Sequence, residues 1–400
     1  MKTVFIDKSK FVNEITNAES TNYLVHNYHP FAAKFVPQIP RYLIPLFTKK
    51  YELVCDPFCG SGTSLVEAML LNRHGIGIEL NPIGAIVSKV KTTPLSVKQL
   101  NIINSFLEEI EVKKKFTCNG VHGDLLNKRD NIKYENIEDL TASLQFPNKY
   151  HWFKKDVLNA VLYIKKYIDV VDDLDVRDFL LVALSSIIVK VSNQESETRY
   201  AAIDKNVKAS DVFSLFNSKV RDMFKRMIEF IKYIDKKVEV KIYNTDTRRV
   251  DFIPENSVDF IITSPPYPNT YDYYLYHKLR MIILGFDYKP IQKAEIGSRH
   301  KHSSKNENID SYLNDMKHCL NIFSHMLKPG KYLIIVIGDA FIKGEKYSGY
   351  ELIQDISSST YFKIVEHIYY DLDMISKFFN KSFRKKGKKE HIIILQNAKE

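Results

Sequence analysis

The sequence predicts an α/β protein built on a seven-stranded, mostly parallel sheet with an antiparallel last strand and a helical insertion. Three observations predict it. Seven short apolar runs, most of them closing on Asp, Glu or Pro, read as strands of a largely parallel sheet. Helical patterns separate most of these runs. About 160 residues between the second and third runs carry almost no strand signal.

In chain order the predicted strands are ELVCDPF (52–58), HGIGIEL (74–80), KIYNTD (241–246), VDFIITS (258–264), KYLIIVIGDA (331–340), FKIVEHIYYDL (362–372) and HIIILQN (391–397). Helices are expected at Thr63–Leu71 and Tyr312–Leu327. The last two strands are joined by a basic loop with no helix, so they should pair as a hairpin. Roughly Leu95 to Val240 reads as an inserted, mostly helical domain or subdomain, with an amphipathic stretch at Asp211–Val238. The chain thus divides into 1–94, 95–240 and 241–400.

With 44% hydrophobic and 26% charged residues the chain is an ordinary globular protein. Its net charge of +10 favours a polyanionic partner. The basic residues cluster in FFNKSFRKKGKK (378–389), in 219–241 and in RHKHSSK (299–305), and three such runs point to nucleic acid rather than a merely solvated surface. Cys55, Cys59, Cys118 and Cys319 form no CxxC pair and no zinc spacing, so no metal site is expected. The N-terminus lacks an apolar signal region, and the longest apolar run, FLLVALSSIIV, is too short to span a bilayer. The expectation is a soluble intracellular protein with no membrane partner.

DPFCGSGTSLVEAML follows the first strand and opens a helix. Gly60 and Gly62 would let the backbone turn sharply beneath a ligand, with helix N-terminal donors beside it. A phosphate loop would need a lysine after Gly62, and a dinucleotide fingerprint would need glycine where Leu65 stands. S-adenosylmethionine has no phosphate and needs neither. Glu79 ends the second strand, where a carboxylate can accept both ribose hydroxyls. Asp56 precedes the turn.

The fourth strand runs into Ser264-Pro265-Pro266-Tyr267. Two prolines remove two donors and fix two φ angles, which leaves rigid carbonyl acceptors. Ser264 Oγ and the Pro265 carbonyl can accept both hydrogens of an exocyclic amino group, and Tyr267 offers a face for a base. A base reaches such a site only by leaving the duplex. Tyr271 and Tyr274 share helical spacing with Tyr267 and read as packing residues, as do Trp152 and Cys59.

DPFCGSGT, GIEL, NTD and TSPPY together resemble the DNA methyltransferases that methylate N4 of cytosine or N6 of adenine. HPFAAKFVPQIP (29–40) looks like the motif that closes over the methionine end of the cofactor in that family. The resemblance covers 30–95 and 241–397 and implies the S-adenosylmethionine-dependent methyltransferase fold. It implies a cofactor site of Lys34, Asp56, Phe58, Cys59, Gly60, Ser61, Gly62, Thr63, Glu79, Leu80, Asp246 and Ser264, with Asp246 on the adenine amino group. Its catalytic motif is Ser264, Pro265, Pro266 and Tyr267. His29 also falls in the upstream motif. The motif order is similar to the α-type arrangement, in which the insertion recognises the target in double-stranded DNA. A cytoplasmic, nucleoid-associated enzyme of a prokaryote or phage follows, with a separately acting restriction endonuclease as a possible partner.

Ser at the head of the motif is the common N4-cytosine form, and the chain has no Pro-Cys dipeptide for C5 chemistry. N6-adenine methylation is the alternative. An RNA or protein amide methyltransferase, or a non-catalytic nucleic-acid binder, are the remaining classes.

Overall fold

A computed structural model describes residues 6–16, 20–118, 138–304, 308–371 and 388–399. Most of the basic run at 378–389 lies outside the described residues, as does Lys305 at the end of the run at 299–305. The strands are β1 (Leu53–Asp56), β2 (His74–Ile78), β3 (Gln194–Ser196), β4 (Arg199–Ala202), β5 (Val240–Tyr243), β6 (Val258–Thr263), β7 (Leu327–Gly338), β8 (Ala340–Ile342), β9 (Glu345–Tyr347), β10 (Phe362–Asp371) and β11 (Lys389–Asn397). The helices used below are α1 (Lys8–Thr16), α2 (Gln38–Phe47), α3 (Thr63–Leu70), α4 (Pro82–Thr92), α5 (Val97–Cys118), α6 (Glu138–Ser143), α7 (Lys149–Trp152), α8 (Lys155–Asp169), α9 (Leu174–Val191), α10 (Ala209–Ile231), α11 (Tyr273–Tyr276), α12 (Lys278–Leu284), α13 (Lys289–Ala294), α14 (Arg299–Ser304), α15 (Ile309–Met326) and α16 (Gly349–Ser357).

Seven strands form one sheet in the order β10-β11-β7-β6-β1-β2-β5. All seven were legible as apolar runs. β11 pairs antiparallel with both β10 and β7, and the other pairings are parallel. β6 is buried along its whole length at the sheet centre, and its one charged residue, Asp259, is paired there by Lys328 Nζ at 2.6 Å and the Leu53 N–H at 3.0 Å. Alternation sorts side chains into two layers. Leu333, Ile335 and Ile337 of β7, with Ile393 and Leu395 of β11, pack under α15 and α16. Ile334, Val336, Ile392 and Ile394 point the other way, against α1 and α2. Chain direction diverges between β1 and β6, so the carboxyl ends of β1, β2, β5 and β6 border one crevice.

The segment between α4 and β5 holds α5 to α10 and the β3–β4 hairpin, a short sheet that the sequence pattern did not signal. In α10, Val212, Phe216, Val220, Met223, Met227 and Phe230 recur every three or four residues and are buried. The helix stops at Ile231, ahead of a turn in which Asp235 Oδ1 accepts the Lys237 N–H at 3.0 Å. These helices share one apolar cluster with Tyr28, Val66, Met69, Ile83, Val87 and Val90 of the cofactor half and with Leu279 and Met281 of α12. No described helix is long and apolar enough to cross a membrane.

Candidate active site

The crevice is a cleft of about 910 Å³, including its open mouth. Its floor is the turn after β1. Gly60 and Gly62 have φ of +51° and +78°, a region that favours glycine. A Cβ on Gly62 would also lie 2.9 Å from Ser88 Oγ and 3.0 Å from the Ser88 backbone. That close approach lets α4 support the turn: Ser88 Oγ donates to Gly60 O at 2.7 Å, and the buried Lys91 Nζ donates to Ser61 O at 2.8 Å.

Glu79, just past β2, staples the turn from the other side. Its carboxylate accepts the Gly60 N–H at 2.8 Å and the Asn81 N–H at 2.7 Å. Asp56 ties β1 to its neighbours by accepting from Thr263 Oγ1 at 2.7 Å and from Ser64 Oγ. Burial pushes the Glu79 carboxyl up to about 7 and that of Asp56 up to about 6.

Lys34, Asp56, Phe58, Cys59, Gly60, Ser61, Thr63, Glu79, Leu80, Asp246, Ser264 and Pro266 all line the cleft. Gly62, although part of the turn, does not line the cleft, and neither do Pro265 and Tyr267. Asp246 accepts from Arg248 through Nε at 3.0 Å and Nη2 at 2.6 Å. Burial raises the Asp246 carboxyl, but the Arg248 hydrogen bonds outweigh it and hold it below the usual range. Lys34 Nζ donates to His26 O at 2.9 Å, and burial lowers its ammonium to about 8. His29 is buried against Ser185 Oγ, 2.9 Å away, outside the cleft.

Tyr267 is held from behind. A Cβ on Gly338 would lie 2.8 Å from its ring, so only glycine there admits the tyrosine. Its hydroxyl donates to Glu390 Oε1 at 3.0 Å and accepts from Ser264 Oγ at 3.3 Å. Tyr370 donates to the other Glu390 oxygen. With its proton directed to Tyr267, the Ser264 oxygen keeps its lone pairs for the cleft.

Sequence reading missed Phe31, Asn81, Tyr273 and Glu295, all in the cleft wall. The Phe31 ring packs over Gly60 and lies stacked toward Tyr273, with centroids 6.2 Å apart. Glu295 accepts the Tyr273 N–H at 2.7 Å, which fixes the start of α11, and burial pushes its carboxyl up to about 8. Phe31 sat inside a motif already singled out. Glu295 and Tyr273 reach the cleft only through the fold and had no local signal. Tyr274 is buried, with its hydroxyl accepting from Gln292, as a packing role predicts.

The model of the DNA methylase family N6_N4_Mtase matches residues 6–84 and 258–400. The chain belongs to this family. It is 28% identical over 262 residues to the type II methyltransferase M.MvaI of Kocuria varians, covering 62% of this chain and 54% of that protein. It is 23% identical over 385 residues to M.MjaII of Methanocaldococcus jannaschii, covering 77% of this chain and 72% of that one. It is 24% identical over 324 residues to M.BsoBI of Geobacillus stearothermophilus, covering 74% and 60% respectively. The chain therefore spans between about half and three-quarters of the length of these relatives.

S-adenosylmethionine is the cofactor that membership of this family implies, and the cleft fits it. Its walls are apolar at Phe31, Phe58 and Ile78, and acidic at Glu79, where ribose hydroxyls would donate. Asn81 lines the cleft with a buried amide Nδ2 that has no partner among the described residues. A bound nucleoside would satisfy such a donor.

Proposed function

We propose that the protein methylates the exocyclic N4 of cytosine in double-stranded DNA. The observation that carries this reading is the placement of Ser264 and Pro266 in the same cleft as the Gly60 turn and Glu79. The cofactor, when bound, supplies an electrophilic methyl carbon. The chain supplies positioning. An amino group conjugated to a ring is a poor nucleophile, so its lone pair must be localised toward that carbon. Ser264 Oγ, in the cleft wall, accepts one of its hydrogens, and the rigid Pro265–Pro266 turn fixes the direction of that acceptor. Tyr267 orients the serine, while Phe31 and Tyr273 offer flat surfaces to an extruded base. No covalent enzyme intermediate is needed.

The insertion between 95 and 240 is proposed to choose the target sequence. Single-molecule sequencing and nucleoside analysis of DNA incubated with the protein and cofactor test both readings. N4-methylcytosine within one short sequence is expected, and a chimaera carrying another enzyme's insertion should shift that sequence. N6-methyladenine would replace the base assignment but keep the chemistry. 5-Methylcytosine would overturn both.

Glu79 is proposed to hold the ribose. Glu79→Ala should weaken cofactor binding by roughly 1.5–3 kcal/mol, since it removes a charged acceptor and loosens Gly60. The pH dependence has a definite sign. The ionised carboxylate is the acceptor, and in the free protein it forms only as pH rises through about 7. Affinity should therefore climb between pH 6 and 8, by up to roughly tenfold per unit below 7. Calorimetry on Glu79→Gln should show this dependence flattened. An unchanged profile would assign it to another group.

A further inference from the structure

A second cleft of about 1510 Å³, including its open mouth, lies between the insertion and the helices that follow the Ser264 loop. Trp152 and Tyr200 form one wall, with ring centroids 4.1 Å apart and planes tilted by 32°. Phe286 and Tyr288 line the cleft as well. Both rings of the first wall are held by backbone. The Asn193 N–H donates to Trp152 O at 2.7 Å, and the Ile203 N–H returns to Asn193 O at 2.8 Å across the β3–β4 hairpin that carries Tyr200. Lys278 Nζ sits 4.4 Å from the Tyr288 ring centroid and 5.6 Å from that of Tyr200. Lys289 joins it, and Asp287 is the one acid among the described lining residues. The Asp287 carboxylate is engaged by the Lys289 backbone N–H at 2.9 Å.

The two clefts share a wall. Ile291 and Ala294 of α13 face the methylation cleft, whereas Lys289 of the same helix and Tyr288 just before it face the second. Extruding a base for methylation leaves neighbouring or partner bases unstacked, and such bases stack on aromatic rings flanked by cations. We propose that this cleft is a DNA subsite in which a second, non-methylated nucleobase stacks on the Trp152–Tyr200 wall, with Lys278 and Lys289 toward the backbone phosphates. The assignment rests on the DNA methyltransferase reading above and names a subsite within it.

Trp152 is the only tryptophan in the chain, so its emission reports this cleft alone. The probe is a mixed-sequence single strand of about 30 nucleotides, because stacking tolerates any base. Titration is expected to quench Trp152 emission in step with binding followed by fluorescence anisotropy. Trp152→Ala should weaken binding of the strand roughly 5- to 100-fold, Trp152→Phe only a few-fold, and neither should change affinity for S-adenosylmethionine. Binding by anisotropy with unchanged emission overturns the subsite, as does wild-type affinity in Trp152→Ala. Methyl transfer to duplex DNA is measured separately. If transfer proceeds while Trp152 stays silent, the subsite alone falls. If the protein neither binds nor methylates DNA, the function reading falls and takes the subsite with it.

Discussion

Ser264→Ala is expected to lower kcat about 100- to 1000-fold, the usual cost of removing one preorganised group that stabilises developing charge. In the proposed mechanism the attacking amino nitrogen becomes positive, and its hydrogens would bind their acceptors more strongly than in the ground state. The loss therefore falls on turnover rather than on binding. Cofactor affinity should change little, because the Gly60 turn and Glu79 are held by contacts that do not involve Ser264. Tyr267→Phe should give a smaller, roughly tenfold drop, the worth of one hydrogen bond. It leaves the ring on Gly338 but removes the oxygen that receives the Ser264 proton and the donor to Glu390. Single-turnover kinetics at saturating cofactor distinguish these outcomes. A Ser264→Ala enzyme with wild-type turnover would remove the serine from the mechanism.

The second large effect is on stability, at the seam between the insertion and the catalytic part. Arg280 on α12 is fully buried. Its Nη2 donates to Glu197 Oε2 at 2.6 Å, and its Nε donates to Ser185 O at 3.0 Å. Glu197 stands in the β3–β4 hairpin and Ser185 on α9, so one guanidinium pins two parts of the insertion to the helix that follows the Ser264 loop. Glu197→Ala leaves that charge without its carboxylate and should cost about 3 kcal/mol in urea denaturation. The figure sits at the low end for buried pairs because Glu197 is 30% exposed. Glu197→Gln should recover part of the loss. A change below ~0.5 kcal/mol would show that backbone carbonyls suffice for Arg280.

The cofactor half of the cleft was legible because its chemistry is local. Asp56, the Gly60–Thr63 turn and Glu79 each stand at a strand end, and in a parallel sheet successive strand ends meet at one edge. The same argument carried Ser264 and Asp246 to the cleft. It did not anticipate that Tyr267 would stand behind the wall, bound to a glutamate more than a hundred residues later in the chain. Tyr273 lacked any periodic signal because α11 is only four residues long. Trp152 read as a packing residue, and its ring does pack on Tyr200, but the pair also lines an open cleft.

The seven strands, the hairpin at the sheet edge, the glycine turn with its acid, and the Ser-Pro-Pro-Tyr turn can all be read from local pattern. Each depends on contacts within a few residues or on a period of two along one strand. How the insertion sits is set by long-range packing. Its helices bury their apolar faces against α4 and α12 in one continuous cluster, so it is fused to the catalytic core. Amphipathicity marks which face of a helix is buried but says nothing of the surface that buries it. Likewise, the Ser264–Tyr267–Glu390 chain and the Arg280–Glu197 pair join residues whose meeting depends on strand order and helix packing, and the chain codes for neither at any single position.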